Sequence, residues 1–292
     1  MARSTCPERN APGTARLLAL SLALAALAAF GQEVTWRKVD PANLVHMTLD
    51  QGTVVIELNP RFAPKTVARF KRLVEEDFYR GLSFYRVIDG FVAQGGDESD
   101  IEGPGPDAEP TLPAEFEREW DKELPWTRVE KQDMFRAETG FIDGFAAARE
   151  RQRVWLTHCP GVIAMARGDE PDTGRTDFYI VIGQAPRYLD RNLTIFGRVI
   201  HGMEVVQRIH RGELRDNGII ASDLERTRIL RMRFSEDLDA EDRRDYYVME
   251  TTGPEFRQYL QARRNRDDRF FHHRPPRVLD VCQVPIATRV EK

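Results

Sequence analysis

Apolar and polar residues follow the short period of β-strands along much of the chain. Two such runs, at 44–47 and 54–58, flank a turn at 50–52, which predicts a β-hairpin. Turn-forming residues also separate further short apolar runs, at 84–88, 91–96, 162–166, 178–182 and 194–199. Many short strands with glycine-rich turns predict a mainly β domain that closes into a barrel.

Two helices are predicted among these strands. The first begins at Pro64, where the missing N–H costs nothing, and its apolar residues recur at helical spacing: Val67, Phe70, Val74 and Phe78. The second follows the last predicted strand and uses Val205, Val206 and Ile209. Each helix would pack one apolar face on the strands.

The first residues have the pattern of a signal peptide. Three arginines, Arg3, Arg9 and Arg16, precede an apolar stretch at 17–30, which is short for a membrane span, and small residues follow it. We expect cleavage after Gly31 and a periplasmic protein without stable membrane insertion. An uncleaved anchor is the alternative.

Composition divides the rest into a main domain at 32–233, which contains an insertion at about 117–152, and an extension at 234–292. The insertion is polar, with aromatic residues at Trp120, Trp126 and Phe135. The extension is predicted to be small and α+β. It has a strand at 246–250, a helix from Pro254 and one or two strands at 277–290 that include Cys282.

Charge and motif content narrow the function. The net charge is −4 and both signs are interspersed, which argues against a nucleic-acid partner. The six histidines form no zinc-ligand spacing, and no G-x-S-x-G motif is present, so neither a metal nor a serine nucleophile is expected. His158 and Cys159 are adjacent, and neighbours on a strand point to opposite faces, so they are not expected to act together.

One arginine lies in an apolar run. Arg86 occurs in FYRVIDGFVAQGGD at 84–97, among aromatic and aliphatic residues. A buried guanidinium is costly unless it is paired or used. This run therefore marks a candidate site.

The same run is similar to the signature of the cyclophilins. PGVIAMARG at 160–168, DFYIVIG at 177–183 and YLDRNLTIFGRVIHGMEVVQRI at 188–209 resemble three further motifs of that family, in the same order. The resemblance covers about 44–233 and is interrupted by the insertion. It implies a closed eight-stranded antiparallel barrel capped by two helices. It also implies peptidyl-prolyl cis-trans isomerase activity on proline-containing unfolded or exported polypeptides, without a cofactor.

The resemblance implies a role for each site residue. Arg86 would donate to the prolyl nitrogen as the amide twists, and Gln94 would bind the substrate backbone and orient Arg86. An apolar pocket for the proline ring would consist of Phe91, Val92, Tyr179, Leu189 and Leu193. The preceding residue would lie along Ala166, Arg167 and Gly168, with Tyr188 at the rim.

Four positions depart from the family: Asp177 replaces a glutamine, Tyr179 a phenylalanine, Tyr188 a tryptophan and Leu193 a histidine. Asp177 brings a negative charge into the groove, where pairing with Arg86 would weaken catalysis, and the insertion could cover part of the groove. Two alternative functions therefore stay open. One is a catalytically weak proline-peptide-binding or chaperone module, and the other is an assembly component on the same scaffold.

Two cysteines remain after the predicted cleavage, Cys159 and Cys282. In an oxidising compartment they are expected to form a disulfide that fastens the extension to the barrel. The alternative is two separately buried thiols.

Overall fold

The computed structural model describes residues 34–98, 108–135 and 137–292. The predicted signal peptide at 1–31 lies outside the described residues. Within them there are sixteen β-strands and three α-helices, numbered here in chain order. No helix in this described part is long and apolar enough to cross a bilayer.

Eight strands form a closed antiparallel barrel, in the order β11-β12-β5-β4-β14-β2-β3-β13. This confirms the predicted fold class. The barrel strands are β2 (Leu44–Leu49), β3 (Gly52–Leu58), β4 (Ser83–Ile88), β5 (Val92–Gly96), β11 (Val162–Met165), β12 (Phe178–Val181), β13 (Ile195–His201) and β14 (Thr227–Phe234).

Two helices pack against the barrel. Helix α1 (Pro64–Glu75) buries Phe70, whose ring lies 5.9 Å from that of Phe178 and 5.0 Å from that of Phe196. Its first turn has no cap from its own N-cap residue. Instead, Glu115 accepts hydrogen bonds from the N–H groups of Lys65 and Thr66. Helix α2 (Met203–Val206) is a single turn, with Val205 and Val206 in the barrel core.

A second sheet of five strands lies outside the barrel and contains most of the predicted insertion. Its order is β6-β10-β9-β8-β7. One apolar cluster joins this sheet to the outer face of the barrel, since Phe141 and Val154 pack in it with Val181 and Ile195. The strands are β6 (Arg118–Glu119), β7 (Trp126–Glu130), β8 (Glu138–Ile142), β9 (Phe145–Glu150) and β10 (Arg153–Leu156).

The extension forms a third sheet and a helix. Strand β15 (Asp245–Met249) pairs with β1 (Trp36–Lys38) on one side and β16 (Thr288–Glu291) on the other. Helix α3 (Pro254–Asn265) begins at the predicted proline and buries Phe256 in the cluster shared with the second sheet.

The predicted strand that includes Cys282 is wrong, whereas β16 provides a strand at the end of this segment. Most of 277–290 is irregular rather than strand, and Cys282 lies in a 3₁₀ turn (Val281–Gln283). The carboxylate of Asp280 accepts the N–H of Cys282, and such a cap favours a turn over an extended strand.

A buried ion network connects three parts of the molecule. Glu57 on β3 accepts hydrogen bonds from Arg37 at 2.5 Å and from Arg198 on β13 at 2.8 Å. Arg198 also donates to the carbonyl oxygen of Gly144, between β8 and β9. Burial lowers the pKa of Arg198, while the charge of Glu57 opposes that shift. The network therefore holds the barrel, the second sheet and β1 together.

Candidate active site

A bulge in β4 explains how an arginine fits in the apolar run. The register between β4 and β5 shifts between Phe84 and Arg86. Phe84 and Val87 both belong to the barrel core, while the Tyr85 hydroxyl and the Arg86 guanidinium both bond to Gln94. A bulge re-aims side chains in this way. Arg86 thus lies on the outer face of the barrel.

Arg86 is half-buried and held by three hydrogen bonds. Its Nη1 donates to Oε1 of Gln94 at 2.9 Å, its Nε to the carbonyl oxygen of Asn217 at 3.1 Å, and its Nη2 to Oδ1 of Asn217 at 3.3 Å. Gln94 in turn donates through Nε2 to the Tyr85 hydroxyl at 2.7 Å. Because a guanidinium only donates, this pattern also assigns the orientation of the Gln94 amide.

Burial lowers the pKa of Arg86 from its usual value. Arginine nevertheless keeps its charge in proteins. A guanidinium has five N–H groups, and protein atoms of the described residues accept three of those on Arg86. Two N–H groups therefore remain for a bound ligand.

Arg86 opens into a groove of about 460 Å³ on the outer face of the barrel. Nine of the twelve predicted catalytic and substrate-binding residues line it, together with two residues that motif matching did not identify, Asn217 and Ile219. The nine are Arg86, Phe91, Val92, Gln94, Ala166, Arg167, Tyr179, Leu189 and Leu193. The groove therefore combines one charged donor with an apolar wall.

Three predicted residues are not part of this lining. Gly168 lies beside it, where its carbonyl oxygen accepts a hydrogen bond from Arg167. Tyr188 precedes the lining residue Leu189 and is 68% exposed. Asp177 is fully buried, and its Oδ1 accepts the N–H of Glu98 at 3.2 Å.

The pairing of Asp177 with Arg86 that would weaken catalysis is not formed. Asp177 packs over Gly96, where the Cβ atom of any larger residue would come within 1.8 Å of the Asp177 carboxylate. Arg86 bonds instead to Gln94 and Asn217. Of the described lining residues, none comes from the insertion at about 117–152.

Tyr179 forms part of the groove wall, and its hydroxyl is bonded behind that wall. The hydroxyl lies 2.8 Å from Nε2 of His158, which is fully buried. Burial, and next the negative charge of Asp190, raise the pKa of Tyr179 well above its usual value. The phenol therefore stays protonated. His158 lies in irregular backbone between β10 and β11, so the expected strand geometry at 158–159 is wrong.

The structure joins Cys159 and Cys282 by a disulfide, with their Cα atoms 5.0 Å apart. The bridge connects the segment before β11 to the 3₁₀ turn of the extension. No group of three or more potential metal-ligating side chains occurs among the residues that the structure describes.

Comparisons with known proteins give the family. Residues 44–233 match the family model described as cyclophilin type peptidyl-prolyl cis-trans isomerase/CLD. The chain is 31% identical over 222 residues to a probable peptidyl-prolyl cis-trans isomerase of Brucella suis, covering 73% of this chain and 90% of that protein. Peptidyl-prolyl cis-trans isomerase B of Bacillus subtilis is 30% identical over 165 residues, with 56% of this chain and 88% of that protein covered.

Structural comparison agrees. The crystal structure of cyclophilin AquaCyp293 from Hirschia baltica matches with a TM-score of 0.71 at 32% identity, covering 88% of this chain and 93% of that one. The chain belongs to the cyclophilin-type peptidyl-prolyl cis-trans isomerases. This confirms the enzyme class expected from the sequence.

Proposed function

We propose that this isomerase accelerates rotation about Xaa-Pro bonds in exported or envelope proteins, with Arg86 as the donor to the prolyl nitrogen. Rotation breaks amide resonance and has an uncatalysed barrier of about 18–20 kcal/mol. The twisted nitrogen gains a lone pair that the planar amide lacks. A donor that bonds this lone pair stabilises the transition state more than the ground state, which is what accelerates a reaction.

One observation carries this assignment: Arg86 retains two N–H groups at the edge of an apolar pocket. Phe91, Leu189 and Leu193 lie in the same groove and suit a proline ring. Gln94 holds the guanidinium in place, so little reorganisation is needed as the amide twists.

The exported location is supported by two features. Basic residues precede the apolar stretch at 17–30, as in signal peptides, and the chain has a disulfide between Cys159 and Cys282. Disulfides form and persist in oxidising compartments. Polypeptides that fold there, and that contain Xaa-Pro bonds, are the proposed substrates.

The alternative of a weakly catalytic binding or chaperone module depends on Asp177 and Leu193. Asp177 gives it little support, since this carboxylate does not pair with Arg86. The isomerase proposal therefore has the stronger support.

Two measurements test the proposal. Exchange NMR on an Ala-Pro-containing peptide, with and without the protein, is expected to show faster cis-trans exchange. Binding of the peptide without faster exchange would favour the module instead. For location, the full chain is expressed in a diderm bacterial host, the cells are fractionated and the mass of the protein is measured. We expect a periplasmic protein that begins at Gln32, whereas intact chains in the membrane pellet would indicate an uncleaved anchor.

A further inference from the structure

The apolar wall of the groove contains one polar group, the hydroxyl of Tyr179. Tyr179 is buried and contributes its ring to the apolar cluster around the groove. A buried hydroxyl without a partner would be destabilising, and here His158 supplies the partner at 2.8 Å. The two rings are nearly parallel, with an interplanar angle of 12°. His158 therefore restrains both the hydroxyl and the ring plane of Tyr179.

His158 is itself held from the other side. Oδ1 of Asp190 lies 2.9 Å from the backbone nitrogen of His158 and 3.0 Å from its Nδ1. Because a carboxylate only accepts, Nδ1 carries the proton. In the neutral ring Nε2 then accepts the Tyr179 hydroxyl. Asp190 thus determines which ring nitrogen of His158 accepts the Tyr179 hydroxyl.

The chain of bonds continues outward from Asp190. Its Oδ2 accepts Nε of Arg187 at 2.5 Å, and Nη2 of Arg187 lies 3.0 Å from Oδ2 of Asp133. Asp133 belongs to the loop between β7 and β8, whose backbone it also holds by accepting the N–H of Phe135 at 2.7 Å. A continuous set of hydrogen bonds therefore runs from the groove wall to the second sheet.

The groups in this set are almost inaccessible to solvent. The exposed fractions of the side chains are 0% for His158, 9% for Asp190, 6% for Arg187 and 11% for Asp133. Ionic groups with so little solvent depend on one another, because removal of one leaves its neighbour buried and unpaired. Such networks favour one arrangement of the residues that they connect.

Two groove residues depend on this arrangement. The Tyr179 hydroxyl is hydrogen-bonded directly to His158 of this network. Leu189 lies between Arg187 and Asp190 in the chain, and these two residues are bonded to each other, so the backbone is anchored on both sides of Leu189. Both contact the space where the proline ring is proposed to bind.

We propose that His158 is a positioning residue of the proline pocket, and that Asp133 makes the β7–β8 loop of the second sheet a determinant of substrate binding. This inference rests on the proposed use of the groove. His158 acts through Tyr179, and Asp133 acts through Arg187 and Asp190. Loss of either lets the pocket wall move, which weakens binding of the Xaa-Pro segment while Arg86 and Gln94 keep their own bonds.

The test is a double-mutant cycle on the full-length protein, with KM and kcat measured for an Ala-Pro peptide. His158→Leu is expected to raise KM about five- to ten-fold, the size of one lost hydrogen bond, with kcat changed less than about two-fold. In a Tyr179→Phe background the same substitution is expected to raise KM by a clearly smaller factor, because the hydroxyl on which His158 acts is already gone and only the contact to Asp190 is still lost. An equal rise in KM in both backgrounds, or none in either, overturns the proposal.

The second arm probes the loop and does not depend on the folding of the His158 variant. Asp133→Asn keeps an oxygen for the N–H of Phe135 but presents an amide to Arg187, so KM is expected to rise. Glu119→Gln is the matched control, since Glu119 is an exposed carboxylate of the same sheet. Its KM is expected to equal that of the wild type. An unchanged KM in Asp133→Asn overturns the role of the loop.

A spectroscopic readout separates this inference from the proposed function. The ring nitrogens of His158 are observed by NMR during titration with the peptide, and their shifts are expected to move as the pocket fills. A wild-type protein without catalysis would contradict the proposed function but not this inference. In that case the dissociation constant from the titration takes the place of KM. If the peptide binds and the NMR shifts of the His158 ring nitrogens do not move, this inference is contradicted and the proposed function is not.

Discussion

Nη1 of Arg86 lies 2.9 Å from Oε1 of Gln94, across the paired strands β4 and β5. The bulge beside Arg86 places both side chains on the outer face of the barrel, and Gln94 is anchored in turn by Tyr85. The guanidinium is therefore fixed before any substrate binds, as electrostatic catalysis requires.

The first prediction concerns Arg86. Arg86→Ala is expected to lower kcat/KM on the order of 100- to 1,000-fold, because it removes the preorganised donor. Arg86→Lys keeps the charge but loses the planar fork of N–H donors, so its activity should lie between that of the wild type and that of Arg86→Ala. Arg215→Ala, at a highly exposed arginine, is the control. Exchange NMR measures activity and urea denaturation measures stability; full activity in Arg86→Ala would contradict the mechanism.

Asn217 is expected to contribute to catalysis through its side chain. Asn217 has a left-handed backbone (φ 54°), which glycine adopts without strain. Asn217→Gly keeps the carbonyl that accepts Nε of Arg86 and removes the Oδ1 that accepts Nη2. We expect kcat/KM to fall roughly three- to ten-fold, the value of one hydrogen bond. Activity equal to the wild type would show that the backbone carbonyl alone suffices.

The disulfide is expected to stabilise the folded chain. The bridge spans a sequence separation of 123 residues, and loop closure of that size contributes about 4–5 kcal/mol in the chain-entropy model, less any strain. Cys282→Ser should therefore lower the free energy of unfolding by about that amount in urea titrations. Alkylation of the denatured, unreduced protein provides the check on the bridge itself. Two alkylated thiols at 159 and 282 would exclude it.

Glu57→Gln is expected to destabilise the fold strongly. Glu57 is buried and neutralises Arg198, so its loss leaves a buried cation without a full partner. Removal of one partner of a buried pair costs about 3–5 kcal/mol. The free energy of unfolding in urea measures the effect. Asp245→Asn, which removes the partner of Lys38 in an exposed pair, is the control and should change little.

Stability is expected to fall as the pH is lowered from about 6.5 to about 4, in part because of His46. Burial, followed by the charges of Arg233 and His201, lowers the pKa of His46 to about 4. The unfolded chain takes up a proton at this residue near pH 6.5, before the folded chain does, so protonation in that window favours unfolding. His46→Gln should flatten the profile of unfolding free energy against pH. An unchanged slope would assign the effect to other groups.

Local sequence pattern predicted the barrel well. The hairpin of β2 and β3 and the helix from Pro64 follow from apolar periodicity and turn residues, which are properties of neighbouring positions. Matching of the family motifs identified nine residues that line the groove. This also succeeded because each motif is a contiguous strand or turn, so that it too depends on neighbouring positions. Where side-chain bonding decided the conformation, as at Asp280 and Cys282, the predicted strand was wrong.

The sequence by itself thus determined the fold class, the family and the arginine at the centre of the groove. Only the tertiary structure decided the partners of that arginine and the residues behind the pocket wall. Asn217 is hydrogen-bonded to Arg86 although the two are 131 positions apart in the sequence, and Asp133 is hydrogen-bonded to Arg187 across 54 positions. Asp177, whose charge the motif comparison placed near Arg86, is buried and accepts the N–H of Glu98. Such pairings depend on how the closed barrel and the second sheet bring distant loops together, and no local spacing encodes them.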